Sequence, residues 1–249
     1  MSEMLGARIV DGHRIYDILQ DDGTILKFPS VTTILKVLPE SAGLKWFWNN
    51  FENAEAHTAT RAMVGTTCHY FFECECAKQL PNHTPELEQV KYREYLTDDG
   101  LAAIGNINRK IQALMDKHDF IPLTLEEGVW SDVLRVAGRV DFKGYLDGKL
   151  CIVDLKTSKK FYDESKGEYK ARVEYMSENG GKAPKGYFSK HALQLSTYKQ
   201  AFKERNDDQI EELWIMRVNE NNKPELRLMP DVLDDVKDVR EMYFEEFNM

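Results

Sequence analysis

The chain is short of several things that would have placed it quickly. It has four cysteines in 249 residues. Cys68, Cys74 and Cys76 cluster on one predicted helix and Cys151 lies on a predicted strand. That spacing excludes zinc-finger pairs and a four-cysteine cluster signature, so reduced, buried thiols are expected. No run is long and apolar enough to span a bilayer, and the amino terminus lacks a secretory h-region. A cytoplasmic protein without membrane attachment is the expectation. There is no Walker A pattern, so any strand unwinding must come from a partner. Internal repeats and low-complexity tracts are also missing, and 42% hydrophobic residues can supply a substantial core.

Positive charge is scarce overall, with a formal net charge of -9, but its distribution matters more than its sum. From Glu204 to the carboxyl terminus there are fourteen acidic residues against six basic ones, which leaves the remainder near neutrality. Lys156 to Lys190 instead holds nine Lys or Arg against five acids, interleaved with Phe161, Tyr162, Tyr169, Tyr175, Tyr187 and Phe188. Basic groups between aromatics suit a strand whose phosphates need neutralising and whose bases can stack. An ordinary solvated loop is the plainer reading of the same stretch.

Local patterning orders the elements. Arg14 to Leu19 and Thr24 to Phe28 flank Asp21-Asp22-Gly23 as a small hairpin. Ser30 offers an N-cap to a short helical run, Val31 to Leu38, stopped by Pro39. Trp46, Phe47, Trp48 and Phe51 are expected in the core, with a base-stacking platform as the alternative. Helical patterns follow at about Thr60 to Leu80 and from Glu86 to about His118; His69 and Glu73 stand one turn apart on the first. Strands dominate from Pro122 to Lys156, beginning with Leu123 to Ser131. Gly180-Gly181 and Pro184 mark a loop before a helix from about Ser189 to Arg205. Leu213 to Val218 reads as a strand and Val232 to Phe247 as an acidic amphipathic helix. This order implies an α/β (α+β) fold with a mixed central sheet. We expect one domain over residues 1–249, with an amino-terminal hairpin and helical elaboration (about 1–60) and an acidic carboxyl-terminal segment (about 204–249).

The richest stretch is Gly138-Arg139-Val140-Asp141, an Asp147-Gly148 turn, and Ile152-Val153-Asp154-Leu155-Lys156. Asp-Gly between alternating apolar runs predicts a two-residue hairpin loop. Pairing Leu146 with Lys149 then sets Phe142 against Val153, Asp141 against Asp154 and Val140 against Leu155, with the apolar pairs on one face and the aspartates on the other. Directly opposed residues have Cβ atoms about 4.5–5.5 Å apart, and like charges there destabilise the sheet. A divalent cation with oxygen ligands, Mg²⁺ or Mn²⁺, compensates them directly. Lys156 points to the same face as Asp154. Taken alone, the hairpin reads equally as a surface element with solvated aspartates, but the apolar strand after the turn looks central and covered on both sides.

Asp141 followed by Asp154-Leu155-Lys156 resembles the signature of the PD-(D/E)XK nuclease superfamily, with aspartate at the acidic position before the lysine. Gly65-Thr66-Thr67-Cys68-His69-Tyr70-Phe71-Phe72-Glu73 resembles the upstream helix of its RecB-like exonuclease branch, whose histidine is a metal ligand. Gln194-Leu195-Ser196-Thr197-Tyr198 is similar to that branch's Gln-x-x-x-Tyr helix, which contacts DNA. Pro29-Ser30-Val31-Thr32-Thr33-Ile34-Leu35 looks like the opening of phage and mitochondrial genome-maintenance members. The resemblance runs from about Phe28 to Ala201, and the order of the motifs carries it more than any single one.

What the resemblance implies is a restriction-endonuclease-like core, a mixed sheet flanked by helices, and a metal-dependent DNA exonuclease acting in recombination, replication or DNA degradation, of phage type and so working in host cytoplasm. Asp141, Asp154, Lys156 and Glu126 would be catalytic, and His69, Asp141, Asp154 and the Leu155 carbonyl would hold Mg²⁺ or Mn²⁺. Lys156 would orient or deprotonate the attacking water. Glu127 competes with Glu126, since alternation lets only one face the site; Glu126 is preferred because its spacing to Gly138 resembles that of relatives more closely. Gln194, Tyr198, Thr157, Lys159 and Lys160 would contact DNA that is single-stranded or carries a single-stranded end. Some relatives bind an iron–sulfur cluster through one upstream and three carboxyl-terminal cysteines; nothing after Cys151 is a cysteine here, so no cluster is expected. The acidic helix suits a protein partner such as an annealing protein, helicase or single-strand binding protein. Two rival functions remain: a flap or branched-DNA endonuclease, and a non-catalytic DNA-binding or assembly module on the same fold.

Overall fold

A computed structural model describes residues 2–38, 48–50, 52–85, 97–157 and 186–247. Strands β1 (Glu3–Val10), β2 (His13–Leu19) and β3 (Ile25–Pro29) form a three-stranded antiparallel sheet. Helix α1 (Val31–Ile34) tightens into a 3-10 turn at Leu35–Val37, and long helices α2 (Ala54–Ala77) and α3 (Asp98–Met115) follow. The chain then builds β4 (Phe120–Ser131), β5 (Val136–Leu146) and β6 (Lys149–Lys156) as a meander. Helix α4 (Gly186–Asn206) leads to β7 (Glu212–Arg217), β8 (Glu225–Met229) and α5 (Leu233–Glu246).

The second sheet has the order β4-β5-β6-β7-β8, with β6 and β7 parallel and the other pairs antiparallel. Parallel neighbours need a crossover, which α4 supplies. The fold is therefore α/β with a mixed sheet between helices. Strand β6 is its centre, and Cys151 through Leu155 are all buried, as a strand covered by helices on both faces should be; Asp154 is the one charged residue in that run.

Two apolar cores flank this sheet. Val64, Phe72, Ile107 and Ile111 of α2 and α3 pack on Phe142, Val153 and Leu155. On the opposite face, Leu193, Leu195 and Phe202 of α4 and Val236 and Tyr243 of α5 pack on Val140, Ile152 and Ile215. A smaller cluster, Tyr16, Ile18, Phe28, Trp130 and Ala137, fastens the amino-terminal sheet to β4 and β5. The local signals act as their chemistry requires. Ser30 caps α1 by accepting from the Thr33 N–H at 3.0 Å, and Thr97 caps α3 by accepting from Gly100 at 3.2 Å. Asp147 and Gly148 turn the β5–β6 hairpin at φ 50° and 83°.

Several expectations are corrected. Strands β1 and β8 add to the expected elements: Asp11-Gly12, at φ 50° and 77°, turns β1 into β2 with the same Asp-Gly chemistry as the β5–β6 hairpin, and α2 begins at Ala54 rather than near Thr60. The hairpin register matches from Leu146↔Lys149 to Phe142↔Val153, but the ladder stops there, so Asp141 and Asp154 are not a backbone-bonded pair. Val140 also does not share a face with Phe142: it joins the core under α4, while Phe142 joins the core under α2. Alternation is thus interrupted at Asp141. Trp48 is 46% exposed and stays out of the core; Trp46, Phe47 and Phe51 lie outside the described residues. All four cysteines are free, with Cys68, Cys76 and Cys151 buried. No helix among the described residues is long and apolar enough to cross a membrane.

Candidate active site

The site lies where β4, β5 and β6 lose their regular pairing. Leu125 pairs with Phe142 and Glu127 with Val140, which leaves Glu126 and Asp141 opposite each other between two ladder pairs. Glu126 sits at φ 49°, a left-handed conformation that a non-glycine residue adopts only at some cost. One residue with reversed φ breaks the two-residue period, so both carboxylates leave the apolar layers. Glu127 instead receives a hydrogen bond from Thr124 and lies 3.7 Å from the buried Lys143.

Asp141 is held from two sides. Its Oδ2 accepts the Leu155 N–H at 2.8 Å and lies 3.1 Å from His69 Nδ1, which α2 brings over the sheet edge. The Leu155 side chain is itself fully buried, so this residue enters the site through its backbone. His69, Glu126 and Asp141 place one nitrogen and two carboxylate oxygens within 4.8 Å of one another. Asp154 occupies the adjoining corner. Its Oδ2 is 2.5 Å from Lys156 Nζ, and its Oδ1 accepts from Gln194 Nε2 at 3.3 Å. Gln194 Nε2 also donates to the Tyr198 hydroxyl at 2.9 Å, so the two residues of α4, one turn apart, brace Asp154 together. Tyr198 fits only because residue 138 is glycine: a Cβ there would stand 2.4 Å from the tyrosine ring.

The electrostatics follow from burial and proximity. Burial, then the charges of Asp141 and Glu73, push the Glu126 carboxyl up to about 8, against the pull of His69 and Arg139. Burial works against the Asp141 charge too, but His69, Lys156 and the Leu155 N–H outweigh it and hold this carboxyl below its ordinary value. Asp154 is raised by burial and by Asp141, despite Lys156. His69 and Lys156 are half-buried, and desolvation disfavours their charge, yet the aspartates raise both above their usual values. The balance leaves Glu126 and Asp154 as carboxylates whose charge the site opposes, and Asp141 as the one whose charge it favours.

These groups open onto one cavity of about 960 Å³, lined by His69, Glu126, Asp141, Asp154, Lys156, Gln194 and Tyr198 among others. Ser2 and, from strand β1, Glu3 to Ala7 form another wall of it. Sequence reasoning missed that wall, and also Arg14, Arg139 and the Glu73–His83 pair, whose Oε1 and Nε2 are 2.7 Å apart. Arg139 was legible, being two residues before Asp141 on one strand; His83 lies in the turn after α2 and gives no sequence signal. Thr157 follows Lys156 at the strand end, and Lys159 and Lys160 lie outside the described residues, as does most of the basic, aromatic-rich segment.

The donor set fits a divalent cation. Two carboxylate oxygens, one buried and one half-buried, and an imidazole nitrogen within 4.8 Å of one another are suitable ligands for Mn²⁺ or Mg²⁺, and a cation there would neutralise the Glu126–Asp141 repulsion. No family model matches the sequence, and no curated protein does. Among solved structures, the fold is similar to the crystal structure of a candidate exonuclease from Eubacterium rectale, at 14% identity and a TM-score of 0.42, covering 76% of this chain. This chain spans 65% of the length of that protein.

Proposed function

We propose that the protein is a Mg²⁺- or Mn²⁺-dependent nuclease that hydrolyses phosphodiester bonds at DNA ends, with single strands as its preferred substrate. One observation carries this reading: His69, Glu126 and Asp141 converge within 4.8 Å on the same cavity wall as Asp154 and Lys156. Hydrolysing a phosphodiester requires charge compensation on the phosphate, an oriented water and a stabilised leaving oxygen. A divalent cation at His69, Glu126 and Asp141 supplies Lewis acidity, acidifying water and offsetting phosphate charge.

The chain's own groups do the rest. Lys156, charged and held by Asp154, directs its ammonium at the phosphate beside the cation site and stabilises the extra charge of the pentavalent transition state. Asp154 keeps that ammonium in place and completes the acidic wall. Gln194 fixes Asp154 from behind and presents its amide edge to the cavity. Arg14 of β2 and Arg139 of β5 neutralise neighbouring phosphates.

Incubation with end-labelled linear single- and double-stranded DNA, closed circular single strands and RNA, with Mg²⁺, Mn²⁺ or EDTA, tests this directly. Linear single strands should shorten with either metal, circles should persist, and EDTA should stop turnover. Rapid loss of closed circles would overturn the requirement for an end. Absence of cleavage on every substrate with both metals would overturn the hydrolase reading.

A further inference from the structure

We infer that Arg61, outside the cavity, is a positioning residue that fixes the end of β6 carrying Lys156; the inference rests on the function proposed above. Arg61, Gly65 and His69 recur at four-residue intervals on α2 and so form one stripe along the helix. His69 meets Asp141. Gly65 lets the helix approach the strand end, since a Cβ there would stand 3.3 Å from Thr157 Oγ1. Arg61 then closes the contact. Its Nη2 donates to the Thr157 carbonyl at 2.9 Å while its Nη1 lies 2.8 Å from Glu220 Oε1.

Each arm of the guanidinium ends on something itself held. The Lys156 carbonyl, one residue before the Arg61 contact, accepts from Val218 N–H at 3.0 Å, so the backbone on either side of the Lys156–Thr157 peptide is pinned. Glu220 belongs to the turn between β7 and β8. There Lys110 Nζ donates to the carbonyls of Asn219, Glu220 and Asn222 at 2.7, 3.0 and 2.8 Å. The fully buried Asn219 accepts from the N–H groups of Asn221 and Asn222 through Oδ1, at 2.9 and 3.0 Å. A planar fork with two fixed acceptors is a rigid spacer, which a lysine cannot replace because it is a single point charge on a flexible stem. Arg61 therefore sets where α2, with His69, sits relative to the strand that carries Lys156. Arg61 and Glu220 are both about four-fifths buried, and Arg61 does not line the cavity, so its effect reaches the substrate only through Lys156 and His69.

The test uses the 249-residue chain and the variants Arg61→Ala and Arg61→Lys. Because a displacement of about 1 Å in a reacting group can cost on the order of a hundredfold, Arg61→Ala should lower kcat by about tenfold to a hundredfold. KM for a linear single strand should stay within about twofold, since no substrate contact is lost. Hydrogen exchange at the Val218 amide should quicken in parallel, which reads the pin without reference to turnover. Arg61→Lys retains a charge for Glu220 but not both arms, so it should lose kcat to a lesser degree, and it serves should the alanine variant fail to fold. Unchanged Val218 exchange in Arg61→Lys with kcat intact would overturn the inference. A rise in KM and a changed salt dependence with kcat preserved would also overturn it, by making Arg61 a DNA contact. Wild-type protein that cleaves nothing would defeat the proposed function instead, and Val218 exchange would still decide the positioning role.

Discussion

The two ends of the β5–β6 hairpin are built from the same two strands and obey opposite rules. Toward the turn, Leu146↔Lys149 through Phe142↔Val153 form a regular ladder whose apolar side chains fill the core under α2 and α3. At the far end the ladder stops, Asp141 takes the Leu155 N–H into its side chain, and buried charge replaces apolar contact. The turn end is held by area removed from water, the open end by ion pairs and hydrogen bonds among groups that would each be costly alone. Stability is concentrated in one half and chemistry in the other.

The sharpest way to break this division is to remove one charge at the open end without disturbing the ladder. Lys156→Gln keeps an amide beside Asp154 and should cut cleavage by about a hundredfold to ten-thousandfold, while melting remains cooperative and Mn²⁺ still binds. Turnover within about threefold of wild type would remove Lys156 from its role. The converse substitution belongs at the ladder. Phe142→Ala, which empties a fully buried ring packed on Phe72 and Phe120, should cost about 3–5 kcal/mol of stability, read from denaturant unfolding.

A third experiment joins the two ends. Mn²⁺ at about one hundred times its dissociation constant should stabilise the wild-type protein by about 2.7 kcal/mol, and Asp141→Asn should abolish most of that shift. In EDTA, the Glu126 carboxyl sits near 8 in the folded protein against an ordinary 4.5. Its contribution to stability is thus complete below about 4.5 and declines as pH rises toward 8, because folding then opposes an ionisation that the unfolded chain makes freely. Thermal melts of Glu126→Gln should show a shallower decline across that window. A matching slope in both proteins would mean that Glu126 is not strained by burial. The smallest effect is expected at the turn: Gly148→Ala, at φ 83° with open space around it, should cost about 1 kcal/mol and leave cleavage unchanged.

Much of the ladder half was legible. Asp147-Gly148, the alternation around it and the apolar run of β6 specify the turn, the register and the central position by local rules of pairing and burial. The open end was legible only in its ingredients. Counting placed Asp141 opposite Asp154, yet the structure groups Asp141 with His69 and Glu126, and sets Asp154 with Lys156 and Gln194. No pattern rule reports a left-handed residue inside a strand, and Glu126 is one, at the point where alternation fails. The exposed Trp48, the placing of β1 on the cavity wall and the Arg61 contact were out of reach for the related reason that each depends on partners far away in the chain, although Asp11-Gly12 marks the β1–β2 turn itself.

What the sequence determined by itself was the set of elements whose stability is local: the capped helices, the Asp-Gly hairpin and the amphipathic faces that demand a sheet covered on both sides. Only the tertiary structure decided which charges meet. Hydrogen-bonded turns and side-chain periodicity act over a few residues and leave their mark in composition, whereas the field at Asp141 is summed from α2 and β6, 87 positions apart between His69 and Lys156, and depends on distances that no spacing along the chain encodes.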